Sequence, residues 1–256
     1  REKDVDDAGV VREIRSGAYE SYAENEGNKG QRSDISCACH WTVNNAAANG
    51  VGTMYSEAYV VTPGGIMVPE DSPIRGPQDL AGQEIAVGYH SGSHYTTIQA
   101  LEPFLDPGDI KIKFVGLPWQ RVDIGMDGDL PATSVWGLTY QVAEQMGMRR
   151  IADCGFMITF MFPAGVDAAD LEKYFAALKR AQAELDLRPE KYKHLFADMI
   201  PERYRDKVDV RLFDAGERLV FLPYTEETFA ATQAWIHARG IFEDVPEYDY
   251  AAAVGD

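Results

Sequence analysis

Two short segments of this chain concentrate side chains that can do chemistry. The first is "CACHW", Cys37 to Trp41, in which two thiols precede an imidazole and an indole. The second is "HSGSHY", His90 to Tyr95, in which two imidazoles flank a Ser-Gly-Ser turn. Imidazole titrates near neutral pH and acts as an acid, a base or a metal ligand, while a thiolate is a nucleophile. These residue types fit either a polar ligand site or a catalytic one.

The flanking pattern places both segments at turns between a strand and a helix. An apolar run precedes each segment, and a helix-like pattern follows it. In open α/β sheets, ligands bind beyond the carboxyl ends of strands and next to helix N-termini. Ser91, Gly92 and Ser93 are small and would lie beside unpaired amide N–H groups, an arrangement that suits a ligand contact. The alternative is that the serines only cap the helix.

The rest of the chain alternates apolar runs and turn signals in the α/β manner. Periodicity predicts amphipathic helices over residues 10–25, 170–187 and 225–240, the last with Thr225 as N-cap and Gly240 as its stop. A polar helical stretch over residues 189–207 is interpreted as a solvated face. A further strand ends near Trp136, at a position equivalent to the two segments above.

Length, charge and composition limit the function. The 256 residues are 45% hydrophobic, which suits one large domain or two small ones. The net charge of −17 argues against nucleic acid or an anionic membrane surface as partner. No apolar run approaches the ~18 residues that span a bilayer. Cys37 and Cys39 lie too close along one strand for an easy disulfide, so we expect reduced thiols.

Three longer segments resemble a known family. "DLAGQEIAVGYHSGSHY", "ATSVWGLTYQVAEQMG" and the connector "GGIMVPEDSPI" together resemble the type II periplasmic-binding-protein fold, in the nitrate/sulfonate/taurine-like branch of ABC-transporter substrate-binding proteins. The resemblance covers residues 34–162 well and the C-terminal helices loosely. It implies an α/β fold with two lobes, each a mostly parallel sheet flanked by helices, joined by two hinge strands. The family begins with a strand and a ligand-contacting loop, which we expect to precede residue 1.

The resemblance also implies a division of the chain. Lobe 1 would comprise residues 1–68 plus 158–256, and lobe 2 residues 69–157, with a ligand cleft between them. The crossings would lie near Gly65–Glu70 and Phe156–Phe162.

The function implied is that of a solute-binding protein. It would capture a small organic ligand, anionic or aromatic, for ABC-type uptake through a permease. We expect a monomer in a periplasmic or extracytoplasmic location, with no cofactor. The residues expected to contact the ligand are Cys39, His40, Trp41, His90, Ser91, Gly92, Ser93, His94, Tyr95 and Trp136.

An enzyme on the same scaffold is the alternative function. It would be a cytoplasmic decarboxylase, desulfinase or hydrolase acting on a small aromatic or carboxylate substrate, with His40, Cys39 and His94 as the catalytic groups. We expect no metal, and the alternative is a site built from His40, His90 and His94. The plainer interpretation is that these histidines form local hydrogen bonds and that the cysteines and tryptophans pack cores.

Overall fold

The structure, a computed structural model, describes residues 3–5, 11–13, 34–242 and 245–255. The strands are β1 (Lys3–Val5), β2 (Val11–Glu13), β3 (Ser36–Cys39), β4 (Thr53–Thr62), β5 (Gly64–Val68), β6 (Glu84–Val87), β7 (Lys111–Phe114), β8 (Ala132–Trp136), β9 (Arg149–Asp153), β10 (Phe156–Phe162), β11 (Arg218–Val220) and β12 (Val254–Gly255). The helices are α1 (His40–Ala48), α2 (Gly92–Leu101), α3 (Pro118–Asp127), α4 (Gly137–Gln145), α5 (Ala168–Leu187), α6 (Phe196–Met199), α7 (Glu202–Arg205), α8 (Glu226–Arg239) and α9 (Tyr250–Ala253). Short 3₁₀ turns occupy Pro77–Leu80, Pro107–Asp109, Pro189–Lys191, Lys193–Leu195 and Val210–Leu212.

The first of two compact units combines Thr62–Phe156 with Gln182–Arg218 and the described residues of Arg1–Ile14. Its five-stranded sheet has the order β7-β6-β8-β5-β9. β6 runs parallel to β7 and β8, whereas β5 runs antiparallel to β8 and β9. Ile85, Ala86 and Val87 in β6 are all buried, as expected of a strand covered on both faces. The carboxyl ends of β6, β7 and β8 therefore lie along one edge of the sheet.

The second unit comprises the described residues of Arg15–Val61, Met157–Ala181 and Leu219–Asp256. Its sheet has the order β11-β4-β10-β3, with β12 added parallel to β4. β10 pairs with β3 in the antiparallel sense. Met54, Met161, Tyr224 and Phe229 lie at the centre of its core.

Local signals for helix ends are confirmed. Thr225 caps α8, because its hydroxyl accepts a hydrogen bond from the amide of Thr228 at 3.2 Å. Gly240 ends α8 with a φ of +56°, a left-handed conformation that glycine adopts without a steric penalty. The helix predicted over residues 10–25 is wrong at its start, because Val11–Glu13 forms a strand paired with Lys3–Val5. The rest of that prediction lies outside the described residues.

The division into units differs from the predicted lobes in three stretches of the chain. The described residues of Arg1–Ile14, predicted for lobe 1, group instead with residues 62–156. The contacts separate the units between residues 61 and 62, so β5 at Gly64–Val68 belongs wholly to the first unit's sheet instead of forming a crossing. Residues 182–218, predicted for lobe 1 with the C-terminal helices, group instead with residues 62–156. Each of these differences reflects long-range packing that a local pattern does not report.

The stretch over residues 189–207 is mostly exposed or half-buried, as expected of a solvated face, but it also has buried anchors. Ile200 and Tyr204 are buried, and with Phe213 they belong to a cluster that includes Val135 and Tyr140. The Tyr204 hydroxyl also donates a hydrogen bond to Asp123 in α3. The polar composition of the stretch concealed a few apolar anchors, which hold the segment against α3 and α4.

The packing of the cluster that holds this segment can be tested at two adjacent residues just beyond the segment. Phe213→Ala removes a 2% exposed ring and is expected to lower the free energy of unfolding by about 3–5 kcal/mol. Leu212→Ala, where the side chain is 74% exposed, is the matched control and is expected to change it by less than about 0.5 kcal/mol. Urea unfolding followed by circular dichroism measures both, and equal effects would contradict the packing described here.

Candidate functional site

The Ser-Gly-Ser turn lies at the carboxyl end of β6, where α2 begins. Ser91 is the N-cap residue, with extended backbone angles, and its side chain makes no capping hydrogen bond. Its Oγ donates instead to the carbonyl of Gly88 at 2.8 Å, and the Oγ of Ser93 accepts from the Gly88 amide at 3.0 Å. The two serine oxygens lie 2.7 Å apart. Both hydroxyl hydrogens are thus used within the turn, and the serines shape it instead of capping the helix.

The first amides of α2 are left for another acceptor. The amides of His94 and Tyr95 donate to the carbonyl of Ser91 at 2.9 and 3.3 Å. The amides of Gly92 and Ser93, which are both buried, have no acceptor within the described part of the chain. Buried backbone donors are nearly always paired, and a helix N-terminus carries a partial positive charge. The turn therefore has the properties of an anion-binding helix end.

Gly92 is the residue that allows the turn to approach its neighbour closely. A Cβ at this position would overlap the ring of Phe156. The Phe156 ring in turn meets the Trp136 indole edge-on, with ring centroids 5.7 Å apart. Close approach of α2 to this aromatic pair therefore requires a residue without a side chain.

Trp136 lies at the carboxyl end of β8, next to β6 in the sheet. Its indole Nε1 is buried and has no hydrogen-bond partner among the described residues. Tryptophan N–H groups usually find a partner when buried, so this donor is a second feature of the same sheet edge that suits an acceptor ligand. The sequence predicted that Trp136 lies at the end of a strand, and the structure agrees. The contact of Trp136 with a ligand stays a prediction.

His90 and His94 belong to a cluster of aromatic rings at the ends of β6 and β7. His94 lies against Phe114 and Tyr95, with ring centroids 5.0 and 5.1 Å apart, and Tyr89 lies 4.7 Å from Phe114. His90 has a φ of +44°, which is unusual for a residue other than glycine and is often found at functional sites. The Nδ1 atom of His94 is buried without a partner among the described residues. Sequence reasoning missed Tyr89 and Phe114 as members of this cluster.

Burial keeps these imidazoles neutral. Desolvation lowers the pKa of His90 to about 4, and desolvation together with the neighbouring His90 lowers the pKa of His94 to about 3. The His90–His94 pair is therefore uncharged at neutral pH. Any positive potential at this edge of the sheet comes from other groups.

Arg121 is such a group, and sequence reasoning missed it entirely. It lies in α3, on the same buried face as Val122 and Gly125, and its side chain is 2% exposed. Burial lowers the pKa of Arg121 to about 10, which leaves the guanidinium charged at pH 7. The sequence "PWQRVDIGMD" did contain a signal for this burial. Its arginine falls on the apolar side of an amphipathic helix.

The other predicted segment, residues 37–41, lies in the second unit. Its buried side chains contact neighbouring protein groups. The Sγ of Cys39 lies 3.1 Å from the hydroxyl of Thr42, and the Nδ1 of His40 lies 3.1 Å from the carbonyl of Met157. Burial lowers the pKa of His40 to about 4, partly offset by that hydrogen bond. Trp41 is 1% exposed and packs against Trp235, with ring centroids 5.8 Å apart.

A cavity of about 430 Å³ in the second unit is lined in part by Asp34, Asp167 and Asp170, and includes none of the predicted site residues. Its carboxylates disfavour an anion. No group of three or more histidine, cysteine or acidic side chains within residues 34–242 and 245–255 is arranged to hold a metal ion.

Known structures share this fold. The alkanesulfonate-binding protein SsuA from Xanthomonas axonopodis pv. citri, bound to MOPS, is 19% identical over 92% of this chain and 83% of its own, with a TM-score of 0.67. The periplasmic aliphatic sulphonate binding protein SsuA from Escherichia coli is also 19% identical, over 92% and 79%, with a TM-score of 0.72. The desulfurization enzyme DSZB is 13% identical over 88% and 86%, with a TM-score of 0.54.

These similarities confirm the expected α/β fold, which the chain shares with these binding proteins. No protein-family model and no curated protein sequence matches the chain. At these identities, the structural neighbours establish the fold alone.

The lowered histidine pKa values predict acid sensitivity. Because the fold favours neutral His40, its contribution to stability is fully present above the ordinary pKa of 6.5 and is lost as the pH falls towards about 4. The loss between pH 7 and pH 5 is expected to be about 2 kcal/mol for this residue. His40→Gln, measured by urea unfolding at both pH values, is expected to lose that share of the pH dependence.

The matched control is His237→Gln, at an exposed position of α8, where no ring is taken out of water. It is expected to keep the wild-type pH dependence. An unchanged slope in His40→Gln would show that the imidazole of His40 is not the group responsible.

Proposed function

We propose that this protein is a solute-binding protein that captures a small organic anion of the sulfonate class for ABC-type uptake. The observation that carries the proposal is the N-terminus of α2, where the buried amides of Gly92 and Ser93 have no acceptor among the described residues. Anions are stabilised at such helix ends by the N–H groups and by the helix dipole together. The sulfonate ligands named for the structural neighbours agree with this chemistry.

The organic part of the ligand would contact the aromatic side chains at the same edge of the sheet. Tyr89, Phe114 and Trp136 end or follow β6, β7 and β8. Their rings offer apolar surface, while the neutral histidines add no charge that would favour an acidic group there. The expectation that Cys39, His40 and Trp41 also contribute to the ligand site stays a prediction.

The partner and location follow from the same proposal. A solute-binding protein of this type delivers its ligand to an ABC permease and works outside the cytoplasm. Within the described residues, no helix combines the length and the apolar composition that a bilayer span requires.

The enzyme alternative has less support, because the histidines expected to act as acid or base are buried. General acid–base catalysis is most effective when the pKa of the catalytic group is near the working pH. With pKa values of about 4 and 3, His40 and His94 are weak bases and are not protonated to act as acids at pH 7. We therefore do not extend the proposal to catalysis.

Calorimetry tests the proposed function directly. Purified protein, refolded from denaturant to remove any bound solute, is titrated with 1-hexanesulfonate, with hexanoate and with the neutral alcohol 1-hexanol. We expect saturable binding of the sulfonate and none of the alcohol, because the partial positive charge of the helix end favours an anion over a neutral hydroxyl. A protein that binds the neutral compound, or none of the organic anions, would overturn the proposal.

A glycine variant tests the location of the site. Gly92→Ala forces α2 or the Phe156 ring to move, and is expected to weaken sulfonate binding about 10-fold or more. Gly108→Ala is the matched control in the same unit, because a Cβ there meets nothing within 4 Å. Equal affinities for the two variants would place the ligand elsewhere.

A further inference from the structure

Arg121 joins the carboxyl ends of the strands on which the candidate site lies. Its Nε donates to the carbonyl of Ser134 in β8 at 3.1 Å. Its Nη1 donates to the carbonyls of Gly116 at 2.7 Å and Val115 at 3.4 Å, just beyond β7. β6 lies between β7 and β8 in the sheet, so the guanidinium spans the edge of three neighbouring strands.

The charge of this guanidinium is not balanced by the contacts it makes. All its hydrogen bonds go to backbone carbonyls, and its Nη2 has no acceptor within residues 34–242 and 245–255. No carboxylate in the same ranges forms an ion pair with it. Buried charges are normally paired, and arginine presents two parallel N–H groups that match an oxyanion.

Gly88 links Arg121 to the serine turn. A Cβ at Gly88 would lie 2.8 Å from the Oγ of Ser91 and 2.9 Å from the Nη1 of Arg121. The guanidinium and the turn therefore flank the same point at the end of β6. The backbone angle of Gly88 is not in the positive range that glycine alone adopts readily, so close contact is the reason for a small residue here.

From this arrangement we infer that Arg121 is the counter-ion of a ligand oxyanion, and that it makes the site selective for ligands with a fully ionised acidic group. The inference rests on the proposed function and goes beyond it by naming the residue that reads the ligand's charge. The α2 amides favour any hydrogen-bond acceptor, whereas a buried guanidinium favours a full negative charge over a neutral group of the same shape. The ligand class is an organic molecule ending in a sulfonate or a similarly ionised oxyanion.

A pair of isosteric probes separates charge from shape. 1-Hexanesulfonate carries a full negative charge, and 1-hexanesulfonamide is its neutral counterpart. Wild-type protein is expected to bind the sulfonate about 10- to 100-fold more tightly, the range typical of one hydrogen-bonded charge pair. Arg121→Met is expected to lose most of that preference. Arg121→Lys keeps the positive charge but loses the two parallel N–H groups of the guanidinium, and is expected to retain part of the preference.

Arg150→Met is the matched control, because this arginine is largely exposed and pairs with Asp153. It is expected to bind both probes as the wild type does. A folded Arg121→Met protein with the wild-type preference for sulfonate would overturn the inference while leaving the proposed function intact. Failure of the wild type to bind any organic anion would instead overturn the proposed function.

A second variant keeps the inference testable if Arg121→Met does not fold. Gly88→Ala keeps Arg121 in the chain, but its methyl group would lie under 3 Å from the Arg121 Nη1 and the Ser91 Oγ and would push the guanidinium or the turn out of place. Its sulfonate affinity is expected to fall about 10-fold or more, with little change for the sulfonamide. Unchanged affinity for both probes would show that the space beside Gly88 is not used by the ligand, against the inference.

Discussion

Hydrogen-bond donors outnumber acceptors at one edge of the first unit's sheet. At the carboxyl edge of the first unit's sheet, the amides of Gly92 and Ser93, the indole of Trp136 and the guanidinium of Arg121 offer more N–H groups than the described residues accept. Backbone and side-chain donors are rarely buried in that state without a partner. In a chain with a net charge of −17, these donors suit the negatively charged ligand proposed above.

The serines have a different part in this arrangement from the one their position suggests. Hydroxyl groups at a helix N-terminus are commonly caps or ligand contacts. Here both are turned towards the backbone of Gly88, which ties the end of β6 to the first turn of α2. The turn is held by its own side chains, so its amides are already oriented before any ligand arrives. Such preorganisation reduces the entropy lost on binding.

The sequence predicted the features that depend on local chemistry. The strand, turn and helix around Ser91, the N-cap at Thr225 and the stop at Gly240 each follow from a few neighbouring residues. The features that depend on distant contacts were not accessible in this way. Arg121 donates to the carbonyl of Ser134, 13 positions further along the chain, and Tyr204 donates to Asp123 across 81 positions. Trp41 was placed correctly at the start of α1, but its burial against Trp235 depends on a helix far along the sequence.

The discontinuity of both units has a consequence for how the chain matures. β12 adds Val254 beside Met54, so residues 254–255 complete a sheet begun some two hundred residues earlier. During synthesis, neither core can close while its final segment is still within the ribosome. Proteins dominated by such long-range contacts fold slowly, and the partly folded chain exposes apolar surface for longer. The sheet of the second unit therefore stays incomplete, and accessible to chaperones, until residues 254 and 255 have left the ribosome.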